Sequence, residues 1–400
     1  MSNVCHRCAR RAWLLSKLDA LLDYSARDPS RLWRVLELPD VELIDAIGGR
    51  RRAELHAAYA KWEPTPSIGR QPRALCRHHT AYPLGLREDA LAPHSLEVRS
   101  AIKHPGDILD RRIVAIVGTR RASDYGMETA RELARGLAAS GITVASNLTE
   151  GISRAVYAGA LEVDGATLAV MTSAVAHCMP AWCAALHSRI LKRGCSIAEP
   201  HTSLRARYWW RYASARTLAL LVHLVIVVEA TEQPSELACA NVAWSRARHV
   251  AAVPGRVSSP ASRGSNWLLM NGARLVRSPQ DALDVLYGVG LHDAECVSSP
   301  LDLQPRLARV FERVSDGEDT LAKLTARGTS SGEISIALAE LELCGLLLRG
   351  DGGRYVPCAT GSAQNGADVV RPCRSERRSP SDGTHMVRST RTPATTRTNT

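Results

Sequence analysis

The hydrophobic pattern of the chain changes period twice. Near the start, Trp13, Leu14, Leu18, Leu21 and Leu22 recur at three- and four-residue spacing, and Leu32, Val35 and Leu36 do the same. Leu43, Ile44 and Ile47 follow and run into Gly48-Gly49, a helix stop. Such spacing places the apolar side chains on one face of each of several short helices. Residues 1–100 therefore read as a small helical domain, with a proline-containing linker from Glu63 to Pro72.

From residue 101 to 290 the pattern alternates. Ile113 to Val117 is a continuous apolar run ended by Gly118, the mark of a strand buried on both faces. Helical spacing returns at Ala130, Leu133, Ala134 and Leu137, and Gly141 closes it. Strands are expected at 142–145, 167–171, 195–197, 224–228 and 249–253. Helices are expected at about 151–163, 181–193, 213–221 and 236–246. Strand-helix alternation of this kind predicts an α/β doubly wound sheet.

Residues 303–357 form a third unit. Leu307, Val310, Phe311 and Val314 predict one helix, Leu321 to Leu324 a second, and Ile334 to Leu343 a third. Leu346 to Arg349, Gly350-Asp351-Gly352-Gly353 and Arg354 to Val356 then read as a hairpin with a glycine turn. Three helices and a hairpin predict a winged-helix-like domain. Residues 358–400 have no apolar period and carry seven arginines against three acids, so a disordered basic tail of net +4 is expected.

Composition then narrows the partner. The 400 residues carry a formal net charge of +11, and 46 of the 51 basic residues are arginine. A basic excess favours nucleic acid as partner, with an anionic surface second. A GC-rich genome gives the same bias towards arginine, so placement has to decide. The longest apolar run, Leu218 to Val228, is broken by His223 and is too short to span a bilayer. The N-terminus shows no apolar signal region, and eleven scattered cysteines do not form a disulfide framework. A cytoplasmic protein without membrane contact is expected.

Three features carry candidate chemistry. The first is Val117-Gly118-Thr119-Arg120-Arg121, between a buried strand and a helix. A glycine there lets backbone N–H groups approach a phosphate, and the helix start adds positive charge. The second is Arg207-Tyr208-Trp209-Trp210-Arg211-Tyr212, which holds four of the chain's 18 aromatic residues. Cations with flat rings suit single-stranded nucleic acid, and the alternative is that Trp209 and Trp210 fill a core. The third is Cys5-x-x-Cys8 with Cys76-x-His78-His79. Thiolate pairs at this spacing suit zinc, and Cys5, Cys8, Cys76 and His79 are taken as the ligands of a structural zinc; the alternative is free thiols. No other cofactor is expected. No Ser/His/Asp order or carboxylate pair stands out, so no catalytic residue is assigned and the chain is not expected to be an enzyme.

The ordered set VGTRRASDYG, VASNLTEGISRAVYAGAL, DGATLAVMTSAV, VIVVEA, VAAVPGRVSS and RGSNWLLMNGARLV resembles the DNA-processing protein A (DprA, or Smf) family. The resemblance covers roughly residues 5–357. It implies an extended Rossmann-like fold between a SAM-like helical domain and a winged-helix-like domain. It also implies single-stranded DNA binding, assistance to a RecA-type recombinase in DNA uptake, and a homodimer. Gly118, Thr119, Arg120, Arg121, Ser146, Asn147, Arg211, Arg216, Gly264 and Asn266 fall on or near the family's DNA-contacting segments, and Tyr208, Trp209 and Trp210 would stack bases. The chain departs from the family pattern at Asn147, Ser153, Tyr157, Ser214 and Ala215. A nucleotide-binding or nucleotide-hydrolysing Rossmann-like protein and a paralogue that has lost DNA binding are the alternatives.

Overall fold

A computed structural model describes residues 4–64, 73–172, 181–200, 207–294, 305–326, 330–343, 346–350 and 353–357. The expected tail at 358–400 lies outside them. The chain divides into two compact units, residues 1–297 and 298–400.

The larger unit opens with five helices: α1 (His6–Lys17), α2 (Asp19–Ser25), α3 (Pro29–Glu37), α4 (Asp40–Ile47) and α5 (Arg52–Ala60). They bury the periodic residues Leu14, Leu18, Leu22, Leu32, Leu43 and Ile44. The carboxylate of Asp28 accepts the Ser30 and Arg31 amides and starts α3, with Pro29 at its first position. Arg11 is buried, yet its guanidinium donates to the carbonyls of Leu36 and Leu38 and to Asp40 at 2.7 Å.

The helical part ends at Ala60, short of the expected boundary at residue 100. β1 (Arg73–Cys76), the short helix α6 (Leu84–Arg87) and β2 (Ser95–Ser100) follow. Leu96 and Val98 are buried while Arg99 is exposed, the two-residue period of a strand with one covered face. β1 pairs antiparallel with β2, and both extend the central sheet.

After the short α7 (Gly106–Leu109) the alternation runs as the pattern predicts. The elements are β3 (Ile113–Val117), α8 (Asp124–Ala139), β4 (Thr143–Asn147), α9 (Ile152–Glu162), β5 (Thr167–Val170), α10 (Ala181–Arg193) and β6 (Gly194–Ala198). Then come α11 (Trp209–Leu221), β7 (Leu224–Val227), α12 (Pro234–Ser245), β8 (His249–Ala252), α13 (Arg263–Met270), β9 (Arg274–Leu275) and α14 (Pro279–Tyr287). The sheet order is β1-β2-β6-β5-β4-β3-β7-β8-β9. From β6 to β9 all neighbours are parallel, and β2 meets β6 antiparallel. The order reverses between β3 and β7, so the crevice outside their carboxyl ends is the switch point where open α/β sheets hold ligands. Among the described residues no helix is long and apolar enough to cross a membrane.

The smaller unit holds α15 (Pro305–Ser315), α16 (Leu321–Thr325) and α17 (Ser331–Leu343), then β10 (Leu347–Arg349) and β11 (Tyr355–Pro357) paired antiparallel. Leu307, Val310, Val314, Leu324, Leu338 and Leu341 close its core. Glu340 on α17 is paired with Arg306 at 2.7 Å.

Candidate nucleic-acid interface

The switch-point loop, residues 118–123, has its backbone tied down at Thr119, Arg121 and Ser123 and its cations exposed. The Thr119 amide donates to the Glu229 carbonyl at 2.6 Å, and the Thr119 carbonyl accepts from Ile152 at 3.2 Å. Thr119 Oγ1 donates to Glu236 at 3.1 Å. Gly151, at the end of the β4 loop, has φ +73°, and a Cβ there would overlap the carbonyls of Thr119 and Arg120. Only glycine suits that conformation and that approach. The guanidinium groups of Arg120 and Arg121 are exposed and make no ion pair among the described residues.

The phosphate cradle expected at the start of α8 is filled by the chain itself. The Glu229 carboxylate accepts from the Ser123 amide at 2.9 Å and from Ser123 Oγ at 2.6 Å. A Cβ at Gly126 would fall on the same carboxylate, so Gly126 makes room for it. A helix N-terminus attracts an anion, and here that anion is a buried side chain. The groups left exposed at this edge are the arginine side chains of Arg120 and Arg121.

Several expected contacts lie inside the fold. Ser146 is buried; its Oγ donates to the Ile116 carbonyl at 2.7 Å, and Tyr157 OH bridges its backbone to Leu168. Asn147 spends its amide on the Val170 carbonyl at 3.1 Å. Gly264 is buried, its amide on the Ala230 carbonyl at 2.7 Å. Asn266 clamps Gly255 through both amide atoms, at 3.1 and 3.0 Å. These bonds tie the four residues into the edge, with Ser146 and Gly264 buried and Asn147 and Asn266 half-buried.

The aromatic segment divides along one helix. Trp209 and Trp210 are 0% and 3% exposed, and both indole N–H groups donate to Asp19 of α2. Burial pushes the Asp19 carboxyl up, and the two indole hydrogen bonds oppose that shift. Base stacking by Trp209 or Trp210 is therefore ruled out in this conformation: they lock the helical domain onto the sheet. Arg216 is likewise withdrawn from phosphate contact, because it is buried and holds both oxygens of Glu199 at 2.5 Å. Tyr208 is 43% exposed, and Arg211 is exposed 5.8 Å from its ring. β6 is parallel to β3, so α11 begins at the same edge as the arginine loop.

Sequence reasoning missed Tyr125. It follows Asp124 on the first turn of α8, is 57% exposed, and reaches the Pro254 carbonyl at 3.5 Å. Its place five residues after Arg120 was the available signal. The β8 loop adds exposed Arg256 and Arg263 to this edge.

A separate cluster joins α1 to the end of β1. Ligand atoms of Cys5, Cys8, Cys76 and His78 all lie within 4.8 Å of one another, a group able to hold a metal ion. Cys5 and Cys8 Sγ stand 3.3 and 3.4 Å from His78 Nδ1, and the Cys5 amide donates to Cys76 Sγ at 3.4 Å. The fourth residue is His78, not the expected His79. His79 Nδ1 instead accepts the Ala81 amide at 3.0 Å. Burial and the neighbouring thiols push Cys8 far up; burial also raises Cys76, but amide donors outweigh it and hold that thiol low.

A largely parallel sheet with a glycine-shaped switch point flanked by arginines defines a Rossmann-like fold. The sequence model of the DNA recombination-mediator protein A family matches residues 73–287, and the chain belongs to that family. A DprA relative from Mycobacterium tuberculosis (strain H37Rv) is 33% identical over 263 residues, covering 64% of this chain and 67% of its own. Protein Smf of Escherichia coli (strain K12) is 30% identical over 254 residues, covering 60% and 66%. The X-ray structure of DprA from Streptococcus pneumoniae superposes with a TM-score of 0.55 at 25% identity, over 69% of this chain and 96% of that one. Membership places the chain among recombination mediators rather than enzymes.

Proposed function

We propose that this protein binds single-stranded DNA at the carboxyl edge of its sheet and assists a RecA-type recombinase in DNA uptake or recombination. The observation that carries this is the loop 118–123, whose backbone is tied down at Thr119, Arg121 and Ser123 while the Arg120 and Arg121 side chains stay exposed. Arginines neutralise phosphates, and the rings of Tyr125 and Tyr208 on the same edge offer faces to unpaired bases. The duplex hides those faces, so single strands are favoured. The self-filled cradle at Glu229 weighs against a nucleotide-hydrolysing site.

Three finer assignments go with this reading. The cytoplasm is the proposed compartment. Trp267, Met270 and Leu275 form exposed apolar surface around α13 and β9, proposed as the contact with a second copy of this chain. The Cys5, Cys8, Cys76 and His78 cluster is proposed to hold zinc. Tetrahedral zinc with thiolate at about 2.3 Å sets ligand atoms roughly 3.8 Å apart, in keeping with the spacing seen. The α1 start adds positive charge beside Cys5 and Cys8.

A competition gel shift tests the main reading. A labelled single strand should be displaced by unlabelled single strand and poorly by duplex of equal length. No shift with either would point to a paralogue that has lost DNA binding.

A further inference from the structure

The helical domain carries a surface that the carboxyl-edge site does not use. Tyr24 of α2 is 58% exposed. Its ring lies beside two guanidinium groups, Arg27 at 5.2 Å and Arg31 at 5.9 Å from the centroid. Both arginines are exposed, and neither makes an ion pair among the described residues. The neighbouring acid, Asp28, directs one carboxylate oxygen to the α3 amides.

The position of this cluster is fixed relative to α11. Asp23, the residue before Tyr24, accepts the Trp209 amide at 2.9 Å and faces Arg207 at 3.6 Å. Trp33 of α3 packs edge-on against Tyr212 at 5.8 Å. Tyr24, Arg27 and Arg31 therefore stand at the end of α11 where Tyr208 and Arg211 are exposed. Both clusters set a half-open tyrosine ring beside exposed arginine, one at Tyr208 and two at Tyr24, without an ion pair among the described residues.

We infer that Tyr24, Arg27 and Arg31 form a second subsite for single-stranded nucleic acid, continuing the strand's path from Tyr208 and Arg211 onto the helical domain. Tyr24 offers a stacking face for one base, and the two guanidinium groups neutralise the flanking phosphates. A stacked base needs no sequence preference, because every base has a flat face. The inference rests on the proposed single-strand binding at the sheet edge and lengthens its footprint.

The test is a length series in fluorescence anisotropy with oligothymidylates of about 8 and about 20 nucleotides, the range over which single-strand sites fill. The variant Tyr24→Ala/Arg27→Ala/Arg31→Ala should bind the longer strand at least ~10-fold more weakly than the parent, the loss of one stacked base or more. Its salt slope should flatten by about 1.4, for two phosphate contacts at ~0.7 each. Binding of the shorter strand should stay within twofold. Tyr24→Phe, which keeps the ring, should bind both lengths like the parent. Equal loss on both lengths, or no loss on either, overturns the second subsite. Failure of the parent protein to bind either length overturns the edge-site reading itself. An unchanged thermal midpoint confirms that these exposed substitutions leave the fold intact.

Discussion

In the loop at residues 118–123 the backbone is tied down at Thr119, Arg121 and Ser123 and two arginine side chains are exposed; in the segment at 207–212 the side chains themselves divide. Arg120 and Arg121 project from a turn held by Glu229, Glu236 and Gly151. Trp209 and Trp210 face Asp19, while Tyr208 and Arg211 face solvent. Both segments mix residues suited to DNA, yet only about half of those residues can reach it. Composition nominates a segment, and the packing partner decides which face of it is available.

Substitutions can break this comparison, and the largest effect should come from the buried face. Trp209→Ala should destabilise the larger unit by about 3–5 kcal/mol, through cavity and lost burial, with Asp19 losing an indole donor. Tyr208→Ala, one residue away, should leave the urea midpoint almost unchanged and weaken oligonucleotide binding. A stable Trp209→Ala protein would show that the indole is not part of the junction. Glu199→Ala should cost ~3–5 kcal/mol, because it leaves the Arg216 guanidinium buried and unpaired.

Metal removal should come next. A metal bridging Cys5 and Cys76, 71 residues apart, closes a long loop, and closing loops of this kind is worth ~2–4 kcal/mol. Dialysis against a chelator should lower the thermal midpoint, and Cys8→Ala should abolish that sensitivity. Elemental analysis should find one zinc per chain in the parent and none in a Cys76→Ala variant. His79→Ala should leave the metal content intact, in contrast with His78→Ala.

The smallest effect, taken over one pH unit, is a pH dependence at the junction. Burial, then Arg11 and Arg77, push His94 from 6.5 down to about 3. The unfolded imidazole takes up a proton as pH falls through 6.5, and the folded one does so only near 3. The stability from its neutral form is complete above the unfolded value and declines as pH falls between the two. One proton sets a ceiling of about 1.4 kcal/mol per pH unit on that slope. Urea midpoints of His94→Gln between these limits should fall less steeply than those of the parent.

Much of the scaffold was legible because its signals are local. The unbroken run Ile113 to Val117 is β3, and the expected helix at 181–193 is α10. β1 and β2 escaped notice because they are short, antiparallel and set among His and Pro, and β2 joins the main sheet only through the distant β6. The site was less legible for the same reason. Nothing near Glu229 announces that it plugs the start of α8 more than a hundred residues upstream. The choice between His78 and His79 depends on how the chain turns after Cys76. Which side of α11 is covered depends on Asp19, about 190 residues away in sequence.

The proposed phosphate contact is through exposed arginines at the sheet edge rather than backbone amides. It is tested most directly by the salt dependence of single-strand affinity in Arg120→Ala/Arg121→Ala. The expected result is weaker binding at low salt, a log–log slope flatter by about 1.4, for two contacts at ~0.7 each, and an unchanged thermal midpoint. Parent-like affinity and slope in that variant would contradict it.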